Sequence, residues 1–228
     1  MKTRSLYALS IFALLAAQFL TVTPSDANLI LNSGFEQPTT STDLFIPAGD
    51  LSLVAWTVVS GSVDVVPNTG RWSAFEGTQS LDLDGQSAGT IEQFFATTAG
   101  TTYLLSFEYA NNLAPPISAT VSVLGAGAFP LLSQDISHSS STALDMDWTH
   151  FVSPFTANSA MTTLRFSSLD FPSSFAGIAL DAVSVIPFAI PEPQTYAMML
   201  VGLGLLAFGR VAGCRKKLLL LSLYRQQC

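Results

Sequence analysis

Tyr103, Leu105, Phe107 and Tyr109 alternate with Leu104, Ser106 and Glu108, the period-two pattern of a strand with one face buried and the other in solvent. No helical stripe of comparable length competes with it between residues 28 and 186. Short runs of β-branched and aromatic residues, broken by Gly, Pro, Asn and Ser, predict strands over Leu53–Val59, Ser62–Val66, Ser80–Leu83, Thr90–Thr97, Thr102–Tyr109, Ser118–Leu124, Trp148–Phe155, Thr162–Ser168 and Ile178–Val185. That many short strands with turn-forming breaks predict an all-β fold, an antiparallel two-sheet sandwich of jelly-roll type. The Ser137–Thr142 cluster reads as a loop, which places His138 in solvent.

Both cysteines, Cys214 and Cys228, lie near the C-terminus, so the 28–186 span forms no internal disulfide and has to stand on its core. A domain of that length buries roughly 70% of its unfolded surface, enough for independent folding. Nothing in the span reads as an interdomain linker. Its basic residues are Arg71 and Arg165, against fourteen Asp and Glu, a net charge of −12. Nucleic-acid binding needs clustered Lys and Arg, so that class of function is excluded on composition.

The two ends frame this span. Lys2 and Arg4 precede an apolar stretch from Leu6 to Val22, and Ser25-Asp26-Ala27 offers small residues around a cut after Ala27, so residues 1–27 read as a signal peptide. At the other end Pro191, Glu192 and Pro193 precede an apolar run from Tyr196 to Gly209 and a basic cluster at Arg215, Lys216 and Lys217. Continued through Cys214, with Arg210 snorkelling to the headgroups, the run gives a transmembrane helix over about 195–214. Residues 218–228 then form a cytoplasmic or interfacial extension.

Residues 187–217 resemble the PEP-CTERM sorting signal in their proline motif, apolar helix and basic cluster. The resemblance implies an exported, inner-membrane-anchored precursor, recognised by an exosortase-type membrane protease and passed to the cell surface or extracellular matrix. The Leu218–Cys228 extension departs from that pattern, in which the chain ends soon after the basic cluster.

The 28–186 span is similar to the choice-of-anchor C group of surface proteins, whose domain is galactose-binding-like. The resemblance is carried by Asn28-Leu29-Ile30-Leu31-Asn32-Ser33-Gly34-Phe35-Glu36, Trp56-Thr57-Val58, Ser80-Leu81-Asp82-Leu83-Asp84-Gly85, Gly100-Thr101-Thr102-Tyr103 and Ala179-Leu180-Asp181-Ala182-Val183. In such sandwiches a calcium ion ties the first strand to the last, which implies Glu36 and Asp181 as its carboxylate ligands here, with backbone carbonyls completing the shell. The alternative is that both carboxylates accept turn and backbone hydrogen bonds. Asp82-Leu83-Asp84-Gly85 is read as a turn.

Sugar recognition needs a flat aromatic face and planar polar groups. Trp72 beside Arg71, with Asn68 on the same loop and Asn111 and Asn112 after the Thr102–Tyr109 strand, is the group that offers them. The alternative has Trp72 packing over a sheet end and the asparagines building turns. Trp56 and Trp148 fall in strand patterns and read as core. His138 and His150 occur without a nucleophile motif or metal-binding spacing, and the Asp145 and Asp147 pair alone does not define a glycosidase. The expectation is therefore an exported, non-catalytic surface or matrix protein that contacts extracellular polysaccharide. Its rivals are a structural or adhesive protein stabilised by calcium and, third, a glycoside hydrolase.

Overall fold

The computed structural model describes residues 27–69, 72–112, 117–142, 144–171, 175–188 and 199–203. The chain divides into two units, Met1–Phe188 and Ala189–Cys228. Among the described residues of the first, eleven strands form: β1 Leu44–Pro47, β2 Thr57–Ser60, β3 Ser62–Pro67, β4 Gln79–Asp82, β5 Thr90–Ala96, β6 Thr102–Asn111, β7 Ile117–Leu124, β8 Pro130–His138, β9 Thr149–Thr156, β10 Met161–Ser168 and β11 Ile178–Pro187. They pair antiparallel in two sheets, ordered β1-β3-β4-β11-β6-β9 and β2-β5-β10-β7-β8.

As far as Phe107 the alternation of β6 does what its sequence dictates: Tyr103, Leu105 and Phe107 are buried between the sheets, while Leu104 and Ser106 remain only partly covered; beyond it Glu108, expected in solvent, is buried and Tyr109 only half-buried. From the six-stranded sheet Val63, Leu81, Leu105 and Leu180 point inward; from the five-stranded sheet Ile91, Val121, Leu164 and Phe166 meet them. Aromatic rings knit the layers. Phe107 stacks on Phe151 at 4.6 Å and meets Phe166 edge-on at 5.0 Å, and Trp56 lies 5.4 Å from Phe35. Buried aromatics carry the largest apolar area per residue, so this cluster dominates the stability of the sandwich.

The two ends of the domain are stitched to neighbouring strands of the six-stranded sheet, the first to β11 and the last to β6. Leu29 N donates to Val185 O at 2.9 Å, while Asn28 accepts from Val185 N at 3.0 Å and donates to Val183 O at 2.9 Å. Phe188 N donates to Thr102 O at 2.9 Å. Core and hydrogen bonds thus close on themselves between residues 28 and 188.

Nine strands match the sequence expectation with ends moved by a residue or two, except at 53–59. There only Thr57–Ser60 is strand; Leu53–Trp56 turns, with Ala55 at φ +67° and Trp56 N bonded to Leu53 O. Trp56 is core as expected, 3% exposed. Two strands, β1 and β8, lie where none was expected. Both are edge strands, and β8 presents Ser133, Gln134 and Asp135 to solvent, so it lacks the apolar alternation that marks a half-buried strand. The loop expected at Ser137 starts later than the sequence suggests, because β8 runs to His138.

In the second unit, residues 199–203 are helical, with exposed Met199, Leu200, Val201 and Leu203. Residues 1–26 of the signal segment, the residues Pro191, Glu192, Pro193, Arg215, Lys216 and Lys217, the rest of the expected 195–214 span and the 218–228 extension lie outside the described residues. Among the described residues no helix is long and apolar enough to cross a membrane.

Candidate functional site

The described residues of the group expected to hold sugar are engaged in packing and turn hydrogen bonds. Trp72 is 6% exposed and donates from Nε1 to Ser80 Oγ at 2.7 Å, so its ring offers no open face. With Val66, Ala110, Met146 and Ala179, and half-buried Trp148 against them, it forms a small second core. Register places Ala110 opposite Ala179, out of phase with inward-facing Tyr109 and Leu180, so this core covers the outer side of the six-stranded sheet. Asn68 Oδ1 accepts from Ala74 N at 2.6 Å and closes its own loop. Asn111 is 1% exposed, its Oδ1 accepting from Ser141 N, and Asn112 Nδ2 donates to Asp82 Oδ2 at 2.7 Å. Arg71 lies outside the described residues. The aromatic that this loop does expose is Phe75, edge-on to Trp148 at 6.4 Å.

Glu36 and Asp181 are brought to one loop, from its two ends. Asp181 Oδ2 accepts from Phe75 N at 2.8 Å and Glu76 N at 3.1 Å, and Oδ1 from Ala182 N at 2.7 Å. Glu36 Oε1 accepts from Thr78 N at 2.8 Å and Gln79 N at 3.2 Å, and Oε2 from the Thr78 hydroxyl at 2.6 Å. Gly77, at φ +64°, packs against Glu36 where a side chain has no room. Burial pushes the Asp181 carboxyl up to about 7 in spite of these bonds, and the neighbouring Glu76 carboxylate adds to the shift. A divalent cation suits such a crowded acidic site, but the N–H groups already occupy lone pairs that a cation would need. Among the described residues no three His, Cys, Asp or Glu side chains converge in a metal-binding group.

Asp82 and Asp84 form the turn read from sequence: Asp82 Oδ1 accepts from Asp84 N and Gly177 N, both at 3.0 Å. Burial pushes the Asp82 carboxyl up to about 8. His138, expected in solvent, is 7% exposed, with Nδ1 2.6 Å from Asn111 Oδ1 and Nε2 2.9 Å from the Asp147 carbonyl. It ties the end of β8 to the 139–148 loop. His150 is the exposed histidine, its Nδ1 2.6 Å from Glu108 Oε1.

Among the described residues an open groove lies on the outer face of the five-stranded sheet. Register sets Thr57, Glu92, Arg165, Ser122 and Ser133 in one row across all five strands. Beside it runs a second row of Phe94, Thr163 and Leu124. Phe94 is 62% exposed, an apolar ring standing in solvent next to the Arg165–Glu92 ion pair. A groove of about 580 Å³ opens over them, walled by the 125–128 and 159–160 turns. The wall is fixed by Asn158, whose Oδ1 accepts from Ala126 N at 3.0 Å and packs on Gly125 where a Cβ has no space. Phe94 falls in the Thr90–Thr97 strand that the sequence revealed, but nothing in that pattern says which of Phe94 and Phe95 faces out.

A family model described as a protein of unknown function, DUF642, matches residues 28–186. The chain belongs to the DUF642 family. A PEP-CTERM protein-sorting motif matches residues 189–216, adjoining the DUF642 domain, and marks the protein as exported and sorted to the cell surface. Halomucin of Haloquadratum walsbyi is 29% identical over 178 residues, which are 75% of this chain and 2% of that protein. The chain therefore spans only a small fraction of that relative. Among solved structures, the CBM22-1 xylan-binding domain from Paenibacillus barcinonensis Xyn10C is 15% identical with a TM-score of 0.49, covering 74% of this chain and 99% of that one. TmCBM61 in complex with beta-1,4-galactotriose is 13% identical with a TM-score of 0.47, covering 71% and 99%.

Proposed function

We propose that the DUF642 domain is a non-catalytic polysaccharide-binding module of the cell surface or extracellular matrix, and that its ligand lies along the outer face of the five-stranded sheet. The observation that carries this reading is Phe94, exposed beside Arg165 and Glu92 in a groove with a fixed wall. An exposed ring takes the apolar face of a sugar, while the guanidinium, the carboxylate and the hydroxyls of Thr57, Ser122 and Thr163 meet its hydroxyl groups. Strands spaced about 4.8 Å apart make the five-residue row roughly 19 Å long, and exposed Thr57 and Ser133 leave its ends open. That shape suits a run of sugar units better than one terminal sugar.

The same proposal has the tail hold the precursor in the inner membrane through about 195–214 until an exosortase-type protease acts near Pro191–Pro193. It also includes a calcium ion at Asp181 and Glu36, which would have to displace backbone N–H groups that both carboxylates accept. Affinity electrophoresis of the 28–188 segment through gels containing polysaccharide tests the binding reading. Retention is expected, and Phe94→Ala should abolish it without moving the melting temperature, since the ring is mostly in solvent. A segment retarded by no polysaccharide overturns the reading.

A further inference from the structure

The groove carries a charge rule that narrows its ligand. Residues 28–188 hold two arginines and no lysine, and Arg165, the cation of the groove, is paired with Glu92 through both Nε and Nη2. Glu92 is itself 8% exposed, so its charge sits beneath the guanidinium and cannot be swung away into solvent. The site as a whole is electrically neutral within a domain of strongly negative net charge. A carboxylated or sulfated chain would bring further negative charge to a cation already satisfied, and would have to approach through the repulsive field of the domain. A hydroxyl group suffers neither cost. The guanidinium has five N–H donors, more than its bonds to Glu92 consume, and these can donate to sugar oxygens while the pair stays intact.

We infer that the Arg165–Glu92 pair makes this groove selective for uncharged polysaccharide and excludes uronate- or sulfate-bearing chains. The inference rests on the polysaccharide reading above and names the ligand class of the same site. Within it Glu92 has a specific part: it cancels the Arg165 charge, which would otherwise draw in polyanions. Removing the carboxylate while keeping its shape should therefore alter selectivity, whereas a merely structural residue would change only stability.

The test compares retention of the 28–188 segment by neutral xylan and galactan with retention by alginate and polygalacturonate, at low and high salt. The wild-type segment should bind at least one neutral polymer roughly tenfold more tightly than either polyanion, a factor that corresponds to about 1.4 kcal/mol. Glu92→Gln should gain retention by alginate, the gain should disappear at high salt, and Glu92→Gln with Arg165→Gln should not show it. Polyanion binding by the wild type equal to or tighter than neutral binding overturns the inference whether or not the variants fold. So does a folded Glu92→Gln that gains nothing. Retention by neither class overturns the polysaccharide reading itself and this inference with it, which separates that failure from the case in which alginate alone is bound.

Discussion

Asp181 accepts the backbone N–H of Phe75 at 2.8 Å across a separation of 106 residues, pinning the loop that covers the outer side of the six-stranded sheet to its central strand β11. The bond is made by a carboxyl whose pKa burial pushes up to about 7, and Asp82 on neighbouring β4 is pushed up to about 8. Both values lie above the ordinary 3.8 of the unfolded chain, so over the intervening range the folded state holds protons that the unfolded state releases. The stability this confers is complete below pH 3.8 and is lost as pH rises through 7 and 8. The melting temperature should fall between pH 5 and pH 9, by about 2–4 °C for each kcal/mol lost in a domain of this size. Asp82→Asn should flatten that slope. A melting temperature that rises toward pH 9 would contradict the assignment.

Phe107 contacts Phe151 and Phe166 in the middle of the sandwich and is 1% exposed. Phe107→Ala should cost about 3–5 kcal/mol, the range for removing a large aromatic from a core that cannot collapse around the gap. Urea denaturation checks this through a lower midpoint at unchanged slope.

Trp72 separates the two places where a sugar could have been sought. Trp72→Phe removes the buried bond to Ser80 and leaves that hydroxyl short of a partner, at a cost of about 1–3 kcal/mol. Polysaccharide retention at a temperature well below the melt should be unchanged. Loss of retention in this variant, with Phe94→Ala still binding, would move the site to the 68–77 loop.

Calcium has its own measurement. If an ion joins Asp181 and Glu36, it binds the folded state only, so chelation should lower the melting temperature and added calcium restore it. Asp181→Asn should abolish the difference. Equal melts with and without chelator remove the ion from the proposal.

The fold was legible from residues such as Tyr103, Leu105 and Phe107 because a half-buried strand writes its two environments alternately into the chain. Strand β8 was not, because an edge strand has solvent along one side and can carry Ser133, Gln134 and Asp135 without penalty. Trp72 and His138 misled for a related reason. Each has a polar group that suits either solvent or a buried partner; Ser80, eight residues after Trp72, and Asn111, 27 residues before His138, become those partners only once the strands and loops have packed.

By itself the sequence determined the layered β architecture, the dependence on an apolar core without disulfides, the acidic surface and the sorting motif at the C-terminus, since each is a matter of residue type and local order. Tertiary structure alone decided which aromatic stands in solvent and which cation is neutralised. Phe94 and Phe95 are adjacent and chemically identical, and only the packing of the sheets sends one inward; Glu92 and Arg165 are 73 residues apart, and only the pairing of β5 with β10 sets one against the other. Where a site is made by register between strands, its chemistry exists only once the strands have met.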